Sequence, residues 1–307
     1  MVRRADATGK RYFVSLLNDA AIDGWVTLGA EAANVIFTDP LTGRRAKARS
    51  RRTDAGTQVY LQLRPGQSQL IETAEQPDDT LPDWGYYAPK GTPVEGTDWY
   101  IDFPQSLPKV EQRFAIGEPH SWTVLQPIDD LPDKAARIAD DETLPQLANR
   151  NGRTPETERA LADLTRLCGT GRYTGTFRVE SPASAEAWRL QLGTVYESAR
   201  VRVNGRDAGT AWSVPFELDV TPFLVAGDNR IEIEVTNLPA NLIADFDRRG
   251  VEWRIFKDAN VVSSKDGRLL KTDGWQLEPA GLAGPVVLQP LRKLEPAAET
   301  TEYENEN

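Results

Sequence analysis

Tyr173-Thr-Gly-Thr-Phe177, Trp188-Arg-Leu-Gln-Leu-Gly193, Ala199-Arg-Val-Arg-Val-Asn-Gly205, Trp212-Ser-Val-Pro-Phe-Glu-Leu-Asp-Val220 and Gly227-Asp-Asn-Arg-Ile-Glu-Ile-Glu-Val-Thr-Asn237 follow one another closely. Apolar and polar residues alternate within them. Trp188, Leu190 and Leu192 alternate with Arg189 and Gln191, Val201 and Val203 with Arg200 and Arg202, and Ile231, Ile233 and Val235 with Glu232 and Glu234. Successive strand side chains point to opposite faces, so a period of two marks a strand with one buried and one wet face. Asn204-Gly205 is the pair that a two-residue type I′ hairpin turn favours, because both positions need positive φ. Two antiparallel sheets packed on a shared core are expected.

Moving outward, residues 11 to 73 read as a second, smaller β-domain. Tyr12-Phe-Val-Ser-Leu-Leu17, Trp25-Val-Thr-Leu28, Asn34-Val-Ile-Phe-Thr38, Val59-Tyr-Leu-Gln-Leu63 and Ser68-Gln-Leu-Ile71 are strand candidates, with Asp39-Pro-Leu-Thr-Gly43 and Pro65-Gly66 as turns. The basic cluster Arg44, Arg45, Lys47, Arg49, Arg51 and Arg52 reads as a solvated hairpin, with an anion patch as the alternative. The Pro-, Asp- and Gly-rich stretch that follows is expected to be a linker. In Asp98-Trp-Tyr-Ile-Asp-Phe103, Trp99, Ile101 and Phe103 share one strand face. Gln126 to Asn151 has weak periodicity, with a short helix suggested over Lys134 to Ile138.

One helix is well signed. Thr154 is its expected cap and Pro155 fits its first turn, while Glu156 and Glu158 suit its positive end. Ala160, Leu161, Leu164, Leu167 and Cys168 then share a face, and Gly169 is the expected stop. The resulting division is a small β-sandwich over 1–78, a linker over 79–93, a larger β-domain over 94–293 with the helix inserted at about 154–168, and a disordered acidic tail over 294–307.

Composition removes many chemistries. The 307 residues hold 36 Lys plus Arg against 46 Asp plus Glu, a formal charge of −10. That field repels phosphate backbones and anionic membranes, so neither nucleic acid nor membrane is an expected partner. The N-terminus, Met1-Val-Arg-Arg-Ala-Asp, lacks an apolar segment, so no signal peptide is expected. One cysteine, Cys168, forbids an intrachain disulfide, and one histidine, His120, forbids multi-histidine metal centres. No phosphate-binding loop and no nucleophile elbow is present. Cys168 reads as a buried helix-end residue and His120 as a structural one.

The order Gly171-Arg-Tyr-Thr-Gly-Thr-Phe177, Leu192-Gly193, Val203-Asn-Gly205, Trp212, Pro215-Phe216 and Asp228-Asn229 resembles the galactose-binding-like, sugar-binding jelly roll of large glycosidases, including those of glycoside hydrolase family 2. The stretch Leu238-Pro-Ala-Asn-Leu-Ile-Ala-Asp-Phe-Asp-Arg-Arg-Gly-Val-Glu-Trp253 resembles the C-terminal region of bacterial α-L-rhamnosidases of glycoside hydrolase family 106. Tyr12-Phe-Val, Asp39-Pro-Leu-Thr-Gly43, Leu63-Arg-Pro-Gly66, Trp99 to Phe103 and Ser121-Trp-Thr123 are similar to the same layout, so the resemblance covers about residues 3 to 292. It implies an all-β chain, a small β-sandwich followed by a jelly roll, from a family that is often periplasmic or secreted. Those enzymes carry their catalytic carboxylates on a preceding (β/α) barrel. No alternation of parallel strands and amphipathic helices fits such a barrel here.

The resemblance therefore implies a non-catalytic, carbohydrate-associated region that supports a barrel, with a separate catalytic chain and a rhamnose-containing oligosaccharide as implied partners. The alternatives are a free-standing carbohydrate-binding module and an active glycosidase. For the last, Asp245, Asp247 and Glu252 are the nominees, but adjacency in sequence is poor evidence for a carboxylate pair spanning a sugar. No catalytic residue is assigned. Sugars are recognised by a flat aromatic beside planar polar groups. Trp212, Trp253, Trp275 and Trp188 are the rings that could stack; Trp188 falls on a core face, while Trp212 in a turn-rich loop and Trp253 after the polar run Asn237, Asn241, Asp245, Asp247 and Arg248 are the better candidates. The candidate binding residues are Trp212, Asn237, Asn241, Asp247, Arg248 and Trp253. No cofactor is expected; a structural calcium is compatible with the residues, at Asp219 and Asp228.

Overall fold

The structure, a computed structural model, describes residues 1–6, 9–76, 78–125, 155–254 and 271–295. The expected short helix at Lys134–Ile138, the cap at Thr154 and nearly all of the acidic tail lie outside the described residues. The chain divides into two compact units, one formed by Met1–Lys90, Ser213–Pro215 and Leu291–Asn307, the other by Gly91–Trp212 and Phe216–Pro290. The fold is all-β, built from antiparallel sheets.

In the first unit the strands are β1 (Val2–Asp6), β2 (Gly9–Ser15), β3 (Ile22–Thr27), β4 (Asn34–Thr38), β5 (Arg45–Lys47), β6 (Ser50–Thr53), β7 (Gly56–Leu63), β8 (Ser68–Ala74) and β9 (Tyr87–Pro89). They form a sheet of order β1-β2-β8-β4-β5 and another of order β3-β7-β6. Strand β7 shows why these residues make a sandwich. Its burial alternates strictly, with Thr57, Val59, Leu61 and Leu63 inside. There Val59, Leu61 and Leu63 join Tyr12, Val35, Phe37 and Ile71 from the other sheet in one core. The buried Tyr12 hydroxyl donates to the Leu28 carbonyl at 2.8 Å, as a buried polar group must find a partner. The turn at Asp39 is built as its composition suggests, with the Asp39 carboxylate accepting from the Leu41 N–H and the Thr42 hydroxyl.

Part of the expected linker at 79–93 is packed structure. The Lys47 N–H donates to the Pro82 carbonyl and the Trp84 N–H to the Lys47 carbonyl. Trp84 packs edge-on against Phe37, and Tyr86 is buried. The aromatics within this proline-rich stretch supply burial that its turn composition conceals.

The second unit holds β10 (Val94–Glu95), β11 (Thr97–Leu107), β12 (Phe114–Ala115), helix α1 (Pro155–Leu164), β13 (Cys168–Val179), β14 (Ala187–Gln191), β15 (Thr194–Tyr196), β16 (Ser198–Val203), β17 (Arg206–Ala211), β18 (Glu217–Asp219), β19 (Gly227–Thr236), helix α2 (Ala240–Arg248), β20 (Gly281–Ala283) and β21 (Val287–Lys293). Residues Leu291–Lys293 of β21 pair with β9 and belong to the first unit. A six-stranded sheet, β12-β11-β13-β19-β16-β17, shares one core with a sheet of order β10-β21-β14-β18. Ile101, Tyr173, Val201 and Ile233 come from the first sheet, and Trp188, Leu190 and Leu288 from the second. The hairpin β16–β17 turns at Asn204 and Gly205, whose φ values of 51° and 76° fit the expected type I′ turn. The Asn204 side chain donates to Asn229 Oδ1 and to the Phe223 carbonyl and accepts from the Arg230 N–H. Asn204→Ala is expected to cost about 1–2 kcal/mol, from a left-handed residue that alanine tolerates poorly and from unmet buried partners. Urea unfolding checks it.

Helix α1 is shorter than the 154–168 expected. Its last turn tightens, with the Leu167 N–H reaching the Leu164 carbonyl. Cys168 then opens strand β13, where burial pushes its thiol pKa up and so disfavours the reactive thiolate. Gly169 serves a close approach of strands instead of a helix stop, since a Cβ there would lie 2.1 Å from the Gln105 carbonyl oxygen. The second helix, α2, was not expected. Its Asn241, Leu242 and Ala244 are buried.

Candidate functional site

Around α2 the polar residues that looked ligand-facing turn out to be braces. The Asn237 side chain donates to the Leu167 carbonyl at 2.8 Å and accepts from the Gly169 N–H at 2.9 Å. Asn241 does the same with residue Glu278, donating to its carbonyl at 2.8 Å and accepting from its N–H at 2.9 Å. A side-chain amide thus pairs with a main-chain amide as a strand neighbour would. Arg248 donates to the carbonyls of Asp273 and Trp275 at 2.9 and 2.6 Å.

Asp247 is the hub. Its carboxylate accepts from the Trp253 indole, from both terminal nitrogens of Arg254, and from the N–H and hydroxyl of Thr272, all at 2.7–2.9 Å. The Arg254 guanidinium, ahead of the other donors, holds the Asp247 carboxyl well below the usual carboxylate range. That rules it out as a general acid near neutral pH. Asp245 is paired with Arg166 and Arg249, and Glu252 accepts from the Arg254 N–H. The three acidic nominees are therefore tied to local cations or backbone.

Trp253 has a guanidinium 4.3 Å from its ring centroid, so one ring face is already covered. Trp212 is 58% exposed.

The braces hold the segment 271–279, which has no strand pairing of its own. That segment walls a cleft of about 700 Å³, within the range of about 300–1,000 Å³ usual for small-ligand sites. Tyr196, Glu197, Trp275, Gln276 and Glu278 line it. Of the six expected residues, only Asn237 and Asn241 are in the lining. Asp247 and Arg248 support the wall, and Trp212 and Trp253 are not in the lining. Trp275 is 42% exposed. Glu197 has φ of 94°, a costly conformation for a residue with a side chain, of the kind that clusters at functional sites. Trp275 is signalled in sequence only as an aromatic after Asp273-Gly274 turn chemistry. Nothing marks Tyr196 or Glu197, because their proximity to Trp275 arises from the pairing of β15 with β20.

The calcium candidates are spent locally. Asp219 accepts from the N–H and hydroxyl of Thr221, and Asp228 pairs with Arg178. Among the described residues no group of three or more His, Cys, Asp or Glu side chains is placed to hold a metal. His120 bonds the Glu118 carbonyl through Nδ1 at 2.8 Å. In the basic cluster, Arg44 stacks on Trp84 and Arg51 on Trp25, while Arg45 pairs with Glu72, Lys47 with Asp83 and Arg49 with Glu295. Three of the six cations are thus paired with carboxylates, and two are stacked on tryptophan rings. Among the described residues no helix is long and apolar enough to cross a membrane.

No family model matches the chain. The protein of Formosa agariphila named "Putative beta-glucuronidase" is 35% identical over 140 residues, covering 40% of this chain and 12% of that protein. The solved rhamnosidase from Novosphingobium sp. PP1Y is 20% identical, with a TM-score of 0.59 over 94% of this chain and 23% of its own. The chain thus has the fold of a part of that rhamnosidase and spans less than a quarter of either protein. The beta-glucuronidase of an uncultured Clostridium sp. is 15% identical, with a TM-score of 0.37 over 67% of this chain and 29% of its own, too low for an argument about fold.

Proposed function

We propose that this chain is a non-catalytic, carbohydrate-associated region of a glycoside hydrolase of the α-L-rhamnosidase type. In this reading a catalytic barrel, on the same or another polypeptide, performs the hydrolysis, and the second unit is a jelly roll of the galactose-binding kind. The observation that carries the reading is the likeness of 94% of the chain to less than a quarter of a solved rhamnosidase. Sequence similarity to a glycosidase-named protein supports it. The Arg-tied state of Asp245 and Asp247 favours it over an active glycosidase.

The cleft favours a second reading, a module that binds sugar by itself. Tyr196 and Trp275 supply rings for an apolar sugar face, and Glu197, Gln276 and Glu278 supply polar partners for hydroxyls. In this reading the sugar lies in the cleft, whose lining does not include Trp212 or Trp253.

The test is direct. The purified chain should show no turnover of aryl α-L-rhamnosides or β-D-glucuronides. Turnover that vanishes in Asp245→Ala or Asp247→Asn would overturn the non-catalytic reading. Binding should be weak, and Trp275→Ala should lower affinity for methyl α-L-rhamnoside by roughly tenfold, the loss of one stacked ring worth about 1–1.5 kcal/mol. Titration calorimetry or chemical-shift mapping reads it; unchanged affinity would remove the cleft from consideration.

A further inference from the structure

We infer that the cleft selects uncharged, hydroxyl-rich pyranosides and excludes uronic acids. This rests on the sugar-binding reading of the cleft and adds the chemical class of its ligand. Among the described residues, the lining supplies two carboxylates, Glu197 and Glu278, and no lysine, arginine or histidine. Both carboxylates are exposed and remain acceptors for sugar hydroxyls. A ligand carboxylate entering the same space meets two like charges, and a solvent-exposed site weakens that repulsion without removing it.

The nearby positive groups do not reverse the balance. Arg248 is engaged on the carbonyls of Asp273 and Trp275 and is not in the lining. Ala240 and Asn241, at the amino end of α2, border the cleft. That helix end carries about half an elementary positive charge, against two full negative ones. Its first N–H groups lack intrahelical acceptors, and no side chain caps them. They suit hydroxyl oxygens as well as anions. The chain's charge of −10 adds to the bias. The amides of Asn237 and Asn241 each spend one donor and one acceptor on backbone, which fixes their orientation, and they are neutral, so charge discrimination falls to Glu197 and Glu278, with Gln276 as a neutral polar partner and the rings of Tyr196 and Trp275 holding the sugar face.

The test uses methyl β-D-glucopyranoside and methyl β-D-glucuronide, which differ only in a hydroxymethyl against a carboxylate at C5. The Trp275 indole N–H resonance, assigned with Trp275→Phe, reports binding to the full chain. The glucoside is expected to bind about fivefold or more tightly than the glucuronide at low salt. The gap should narrow to within about twofold at roughly 0.5 M salt, where the screening length is about 4 Å. It should also narrow in the Glu197→Gln/Glu278→Gln double variant, with folding confirmed by an unchanged melting profile. Equal or tighter binding of the glucuronide, or a gap insensitive to both salt and the double variant, overturns the charge selection and leaves the sugar-binding reading standing. No shift of the Trp275 resonance with either sugar at roughly 50 mM removes the sugar-binding reading, and the selection with it.

Discussion

Asp247→Ala is expected to lower the unfolding free energy by about 2–4 kcal/mol. Its carboxylate accepts five hydrogen bonds that tie Trp253, Arg254 and Thr272 to α2, and its side chain is only 9% exposed. Alanine would leave those donors without their acceptor in a place that water reaches poorly. Urea unfolding followed by tryptophan fluorescence measures the loss. A midpoint equal to that of the parent protein would mean that the hub adds nothing. The sign of the pH dependence follows from the lowered pKa of Asp247. The unfolded carboxyl titrates near pH 3.9, so the stabilisation is fully present above that value. It is lost as pH falls through the depressed folded value. The stability difference between the parent and Asp247→Asn should therefore be largest near neutrality and shrink only in strong acid. A difference that disappears between pH 7 and 5 would contradict this account.

Gly281→Ala should be similarly damaging, at about 2–4 kcal/mol. Gly281 has φ of 93°, and a Cβ there would lie 2.2 Å from the Tyr173 hydroxyl oxygen and 2.7 Å from the Trp122 ring. Neither neighbour is free to yield. Trp122 is 1% exposed, and the Tyr173 hydroxyl donates to the His120 carbonyl and accepts from the Leu282 N–H. Gly205→Ala is the control, because its φ is also positive but nothing lies within 4 Å of the added Cβ. It should cost about 1 kcal/mol. Equal losses in the two variants would show that backbone strain alone, without the steric overlap, sets the cost at Gly281.

The strands were legible because their signal is local. Val59, Leu61 and Leu63, or Ile231, Ile233 and Val235, announce a half-buried strand by alternation alone, and all six are buried. Asn204-Gly205 announces its turn by the φ it permits. Helix α1 was legible in its body and not at its end, since Cys168 and Gly169 pair with Leu107 and Ser106 of β11, a long-range contact that the local sequence does not announce. Helix α2 was missed because Asn241, a polar residue, sits on its buried side, which blurs the apolar stripe. The surroundings of the binding candidates were hidden for a related reason. Asn237, Asn241 and Arg248 have the polarity of ligand-binding groups, whereas their partners are main-chain atoms from 25 to 70 residues away, and Asp247 is taken up by the side chains of Trp253, Arg254 and Thr272 together with the Thr272 N–H. Side-chain bonding to distant backbone has no period, so sequence alone cannot separate a brace from a binding group.

The wall of the cleft is held in an unusual way for a β-protein. Residues 271–279 take part in no ladder, and the clamps at Asn241, Asp247 and Arg248 grip Thr272, Asp273, Trp275 and Glu278 mainly by their backbone atoms. A grip on main-chain atoms is largely indifferent to which side chain each position carries. Gly274, Trp275 and Gln276 are therefore an exchangeable cassette, open to replacement without disturbing the sandwich. New specificities should be obtainable by varying these three positions while the clamps are left alone, and libraries that alter the clamps instead should yield protein of lowered stability.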